Sequence, residues 1–216
     1  MSAFQSSQPL PGVDVHVLDG LAPLDAAQLL SNDETLRASR LRDAGQAQAY
    51  VCAHAALRRL IAARTQREPR ELRFSMGPHG KPAVENAPDL HFSISYRKGC
   101  AAVAIAQRPV GIDVESLCAG VDTKGIAQRF FTPDEQAWIA QAENQQAFYR
   151  LWTRKEALVK AAGVGVDAMG RAGARGDTAR LDDEQGRIRQ YRILQLDAPS
   201  GFALALAVEE PEKESQ

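Results

Sequence analysis

The chain has 216 residues, 44% of them apolar, and a formal net charge of −1. That length holds one medium domain or two small ones with a sizeable core. The near-neutral charge gives no general attraction to nucleic acid or to an anionic membrane. No apolar run approaches the ~20 residues of a membrane span, and the opening MSAFQSSQPLPG lacks the basic and apolar regions of a signal peptide, so a cytoplasmic soluble protein is expected.

In chain order, VDVHV at 13–17 reads as a strand. In LLSNDE at 29–34, Ser31 is followed three positions later by Glu34, the spacing of a helix-opening capping box. Residues 50–63 carry a helical apolar stripe. Gly80-Lys81-Pro82 marks a turn that presents a lysine. HFSIS at 91–95 alternates as a strand does, and its end is polar and basic: Ser95, Tyr96, Arg97, Lys98. Hydroxyls and cations suit a phosphate, although a basic surface turn has the same composition. Arg37, Arg40 and Arg42 form a cationic cluster that fits either a ligand contact or a solvated helix face.

PVGIDVES at 109–116 places two carboxylates, Asp113 and Glu115, at alternate positions of an apolar strand, so both point to one face. Adjacent like charges are unfavourable there unless something neutralises them. Further on, FFTPDE at 130–135 repeats the capping box with Thr132 and Glu135, reinforced by Pro133 at the first helical position. Residues 148–163 form a second striped helix ending at a glycine cap, Gly163. On it Trp152, Glu156 and Lys160 follow at i, i+4 and i+8 and share one face. GFALALAV at 201–208 is a last apolar strand, and EEPEKESQ at 209–216 is polar. The cysteines, Cys52, Cys100 and Cys118, show no metal-ligand spacing and read as ordinary thiols of a reducing compartment.

Four of these elements recur in the same order at a spacing near one hundred residues: the strands at 13 and 112, the capping boxes at 31 and 132, the helices at 56 and 157, and the strands at 99 and 201. The expectation is an α+β protein of two pseudo-symmetric halves, residues 1–108 and 109–210, with a disordered tail at 211–216 and a ligand site between the halves. A single α/β domain with two unrelated capping boxes is the competing reading. The halves differ at the acids: His16 stands opposite Glu115 in the repeat, and Ala55 opposite Glu156. Asp113, Glu115 and Glu156 therefore converge only in the second half. Hard carboxylate ligands suit Mg²⁺ or Mn²⁺. Neutralisation by Arg150 or Arg154 explains the acids equally well, and a solvated Glu156–Lys160 pair explains the helix alone.

Taken together, GKP at 80–82, FSIS at 92–95, GIDVE at 111–115, FFTPDE at 130–135 and WTRKEALVK at 152–160 resemble the 4′-phosphopantetheinyl transferases of the surfactin-synthetase-activating (Sfp) type, over residues 29 to 208. The resemblance implies two pseudo-symmetric α+β halves with the active site between them. It implies transfer of the 4′-phosphopantetheine arm of coenzyme A to a serine of an apo acyl or peptidyl carrier protein, with release of adenosine 3′,5′-bisphosphate, as in a holo-[acyl-carrier-protein] synthase. By motif match Asp113, Glu115 and Glu156 would hold the metal. Glu156 or a group beside it would help deprotonate the serine, and Lys160 would bind the pyrophosphate. Arg37, Lys81, Pro82, Ser95 and Tyr96 would contact coenzyme A. Tyr96 departs from the family, which commonly has a histidine there, and Glu34 stands where some members have a base. Carrier docking would use the surface near Phe130, Phe131 and the following helix. The carriers would serve fatty-acid, polyketide or nonribosomal-peptide synthesis, and with both halves in one chain a monomer is expected. The alternatives are a Mg²⁺-dependent nucleotide pyrophosphate hydrolase, and a coenzyme A- or carrier-binding module that has lost catalysis.

Overall fold

A computed structural model describes residues 3–20, 26–142, 145–183 and 185–211. The tail expected at 211–216 lies, apart from Pro211, outside the described residues. The chain divides into two units, one of Met1–Ser75 with Pro82–Gln107 and one of Met76–Lys81 with Arg108–Gln216. Each combines an antiparallel sheet with helices, so the α+β expectation holds.

In the first unit β1 (Ala3–Leu10), β2 (Val13–Asp19), β6 (Cys100–Ala106) and β5 (His91–Arg97) form a sheet in the order β1-β2-β6-β5. The central strand β6 is CAAVAIA and is buried throughout. Its alanines remove bulk, and α2 (Ala44–Thr65) lies close against it through Ala49, Ala53, Ala56 and Ala101. Further along α2, Leu57 and Ile61 pack with Leu72, Val84, Phe92, Val103 and Ile105. A short helix α1 (Asn32–Ser39) precedes α2, and a small hairpin, β3 (Phe74–Met76) and β4 (Pro82–Val84), precedes β5. The turn of that hairpin needs Gly80 at φ +81°, a left-handed conformation that a β-carbon disfavours.

The second unit has the sheet order β7-β10-β9-β8, from β7 (Val110–Ser116), β10 (Phe202–Glu209), β9 (Ile188–Leu196) and β8 (Thr178–Asp182). α3 (Thr123–Phe130) and α4 (Pro133–Ala140) lead to α5 (Gln146–Ala162), which lies on the sheet. Its Leu151, Ala157, Leu158, Val159 and Ala161 join Tyr191, Ile193, Ala203, Ala205 and Ala207 in one core. α5 ends at Gly163, left-handed at φ 73°, whose N–H returns to Val159 O.

The internal repeat read from the sequence is present in the elements. β2-β6-β5 and β7-β10-β9 have the same order and antiparallel sense, and His16 faces Val103 across its pair as Glu115 faces Ala203 across its own. Both capping boxes form: Ser31 with Glu34, and Thr132 with Glu135. The edges break the correspondence. β1 flanks β2 in the first sheet, whereas β8 flanks β9 in the second and leaves β7 at an edge.

The two capping-box glutamates do more than cap. Glu34 also accepts from Arg58 Nε at 2.6 Å and lies 3.2 Å from His54 Nδ1. Glu135 accepts from Lys155 Nζ at 2.6 Å and from the Ala174 N–H at 2.6 Å. Burial alone would raise the Glu34 pKa. The bonds from His54, Arg58 and the Ser31 N–H outweigh it and hold the carboxyl down to about 2. Because its folded pKa lies below its unfolded one, Glu34 stabilises the fold above the ordinary carboxylate range, and that stability fades as pH falls towards 2. We expect Glu34→Gln to flatten the acid limb of a stability–pH profile below about pH 5, measured by urea midpoints. An unchanged limb would contradict this.

Candidate active site

Strand β7 has two distinct faces. Val110, Ile112 and Val114 are fully buried apolar residues on one. Gly111, Asp113 and Glu115 alternate with them and face α5. Their partners on β10 are Ala207, Ala205 and Ala203, three small side chains that leave room for the acids and the helix.

Asp113 is only 2% exposed. Its Oδ1 accepts from Lys160 Nζ at 2.6 Å, and the same ammonium lies 3.3 Å from Ile112 O. One pleat along, Glu115 Oε1 accepts from the Trp152 indole N–H at 3.2 Å. The stripe at i, i+4 and i+8 on α5 thus meets the alternating acids of β7: Lys160 grips the first, Trp152 the second. Glu156 stands between them on the helix, half-buried. The cation that neutralises Asp113 is Lys160, not an arginine. Arg154 turns to the other side of α5, where its Nε donates to Ala174 O at 2.6 Å, its Nη2 donates to Gly176 O, and Asp177 lies 3.9 Å from that same nitrogen. Arg150 lines a cleft on that same side. A salt link to Asp113 also replaces the solvated Glu156–Lys160 pair as the role of Lys160.

Trp152 is fixed by an aromatic cluster. It stacks on Phe148 at 6.1 Å and meets Phe130 edge-on at 5.7 Å, while Phe131 stacks on Phe148 at 5.5 Å. Phe131 is 4% exposed, so it is core and cannot form a docking surface. Among the described residues no group of three or more His, Cys, Asp or Glu side chains is gathered as metal ligands in this arrangement. The donor set still fits a hard cation in kind: carboxylate oxygens at adjacent same-face positions of β7 and on the helix laid against it, next to small alanines.

The residues assigned to coenzyme A fall in two places. In the first unit Ser95 is buried on β5. Next to it Tyr96 packs edge-on against Tyr50 at 5.7 Å and lies 6.1 Å from His54. His54 stacks on Tyr50 at 4.0 Å, and the exposed Arg37 guanidinium sits 5.9 Å from the Tyr50 ring. Burial, with Glu34 close by, pushes the Tyr50 hydroxyl up to about 12, so it is a neutral hydrogen-bonding group. Arg37 and Tyr96 are thus joined by two residues that motif reading missed, Tyr50 and His54. Their i, i+4 spacing on the helical stripe was the available signal. Pro82 opens β4 of the first unit. In the second unit Lys81 Nζ donates to Ala161 O at 2.7 Å, beside the end of α5.

Residues 109–207 match the model of the 4′-phosphopantetheinyl transferase superfamily. A 4′-phosphopantetheinyl transferase of Bacillus subtilis is 38% identical over 137 residues, which cover 62% of this chain and 55% of that protein. HetI of Nostoc sp. is 32% identical over 149 residues, 66% of this chain and 63% of that one. Sfp of Bacillus subtilis strain 168 is 34% identical over 113 residues, 51% and 50%. The chain is similar to the 4′-phosphopantetheinyl transferases of the Sfp type. It spans about half to three-fifths of the length of the curated relatives it matches. The superfamily match contains Asp113, Glu115, Trp152, Glu156 and Lys160, the group built by β7 and α5, and does not extend to Arg37, Lys81, Ser95 or Tyr96. A holo-[acyl-carrier-protein] synthase of Thermotoga maritima matches with a TM-score of 0.33 and 23% identity over 49% of this chain and 64% of its own. No helix among the described residues is long and apolar enough to cross a membrane.

Proposed function

We propose that the chain transfers 4′-phosphopantetheine from coenzyme A to a serine of an apo acyl or peptidyl carrier protein, releasing adenosine 3′,5′-bisphosphate, and acts as a cytoplasmic monomer of holo-[acyl-carrier-protein] synthase type. The observation that carries the proposal is the interlock of β7 and α5, Lys160 on Asp113 and Trp152 on Glu115, inside the stretch that matches the superfamily.

Asp113, Glu115 and Glu156 would hold Mg²⁺ or Mn²⁺, which when bound would offset the negative charge of the coenzyme A pyrophosphate. Lys160, bonded to Asp113, would donate to the phosphate that leaves. A serine hydroxyl must lose its proton as its oxygen bonds to phosphorus, and a carboxylate of this group accepts it. Trp152 holds Glu115 in one orientation, which favours a fixed reacting geometry. Arg37, Lys81, Pro82, Ser95 and Tyr96 are assigned to coenzyme A binding. Tyr96 donates a hydrogen bond but brings no charge; the cations that would supply it are Arg97, whose guanidinium donates to Tyr96 O at 3.0 Å, and Arg37, 5.9 Å from the neighbouring Tyr50 ring.

Glu115→Gln and Lys160→Ala are each expected to lower turnover by at least ~100-fold, the scale of one catalytic donor. The assay follows modification of an apo carrier protein with coenzyme A and Mg²⁺ by mass spectrometry. Near-normal rates in both variants would remove the site assignment.

A further inference from the structure

A separate cleft of about 700 Å³ opens in the second unit. Trp138 of α4, Arg150, Leu151 and Arg154 of α5, Arg175, and Gln195 of β9 line it. At 3.6 residues per turn, Arg150 and Arg154 lie on the reverse side of α5 from Trp152, Glu156 and Lys160. The cleft is therefore not the group of acids described above. Its volume falls in the ordinary range for small-ligand sites.

Its charge is one-sided. Three arginines line it, and no aspartate or glutamate does among the described residues. Arg154 has Asp177 at 3.9 Å, but Arg150 and Arg175 are exposed and have no ion-pair partner among the described residues. Arg150 also repels the Arg154 guanidinium, which burial already disfavours as a cation. An anion placed among them relieves that repulsion.

The wall is also built in advance. Three ionic side chains pin the loop that carries Arg175. Lys155 Nζ donates to Ala172 O at 2.8 Å, Glu135 accepts from the Ala174 N–H at 2.6 Å, and Arg154 donates to Ala174 O and Gly176 O. Arg175 sits between two anchored residues, with its guanidinium 5.3 Å from the centre of the Trp138 ring. On the sheet side, the Gln195 amide nitrogen donates to Leu204 O at 2.7 Å. That bond orients the amide, and its Oε1 is buried with no hydrogen-bond partner among the described residues. A buried acceptor left so is costly unless a donor reaches it.

We propose that this cleft binds a small anion in which a phosphate or carboxylate is joined to a flat ring bearing an N–H donor. The anionic group sits between Arg150 and Arg175, the ring lies against Trp138 and Leu151, and the N–H satisfies Gln195. The site is distinct from the catalytic one and does not depend on the transferase reading.

The two tryptophans make the test selective, since Trp138 lies in the cleft and Trp152 beside Glu115. Adenosine 5′-monophosphate and indole-3-acetate serve as phosphate and carboxylate probes, titrated while the two indole N–H resonances are followed by NMR, with Trp138→Phe assigning them. At least one probe should shift the Trp138 signal saturably in the millimolar range or below and leave Trp152 in place. The double variant Arg150→Glu/Arg175→Glu should weaken that binding at least ~10-fold, because two charge-assisted hydrogen bonds are lost. Which probe binds identifies the anionic group. A Trp138 signal that neither probe moves, a shift confined to Trp152, or binding indifferent to the charge reversal would overturn the proposal.

Discussion

Gly111→Ala should destabilise the second unit by about 3 kcal/mol or more, the upper end of overpacking costs. An alanine β-carbon there would stand 2.0 Å from Ala157 O and 2.5 Å from Ala161 N. Both atoms are backbone of α5, so no flexible side chain can move aside. The helix would have to lift from β7, which would part Lys160 from Asp113 and Trp152 from Glu115. Gly170→Ala is the matched control, because an added β-carbon there meets nothing within 4 Å. Urea unfolding followed by far-UV circular dichroism measures both. Equal midpoints for the two variants would show that α5 does not depend on this close approach.

Glu135→Ala should cost roughly 3–5 kcal/mol, the scale of breaking a buried ion pair. Glu135 and Lys155 are each 1% exposed. Burial draws the Lys155 pKa down, and the Glu135 carboxylate works against that. Removing Glu135 leaves an ammonium in the core with Ala172 O as its remaining bonded partner. It also frees the Thr132 and Ala174 N–H groups from their acceptor. Adding Lys155→Met should recover part of the loss, since an apolar side chain of similar length carries no charge to strand. A double variant no more stable than Glu135→Ala would place the cost in the cap and loop bonds instead.

The contrast between Glu135 and Gly111 shows what the sequence could reveal. Capping boxes, the alternating acids of β7 and the α5 stripe are local spacings, and each forms as read. The repeat near one hundred residues was legible for the same reason: corresponding elements keep their local signatures. What each side chain bonds to at long range was not legible. Lys160 reads as a partner of Glu156 four residues away, yet it bonds Asp113, 47 positions earlier. Arg154 reads as a counter-ion for the acids, but helical phase turns it to the opposite side, onto Ala174 and Gly176. The resemblance puts Phe131 in a carrier-docking surface, and the fold buries its side chain against Phe148. Gly111 looked like part of a motif, and only the approach of α5 shows why a side chain is excluded. Tyr50 and His54 sat inside an apolar stripe, and their contact with Tyr96 depends on pairing that no spacing encodes.

The most direct test of the proposed activity is to incubate the intact protein with coenzyme A, Mg²⁺ and an apo carrier protein, then weigh the carrier and its proteolytic fragments. The expected result is a gain of one phosphopantetheine on a single serine, dependent on Lys160 and Glu115, with stoichiometric release of adenosine 3′,5′-bisphosphate. Coenzyme A cleaved without any gain on the carrier, or bound and left intact across acyl and peptidyl carriers, would contradict it.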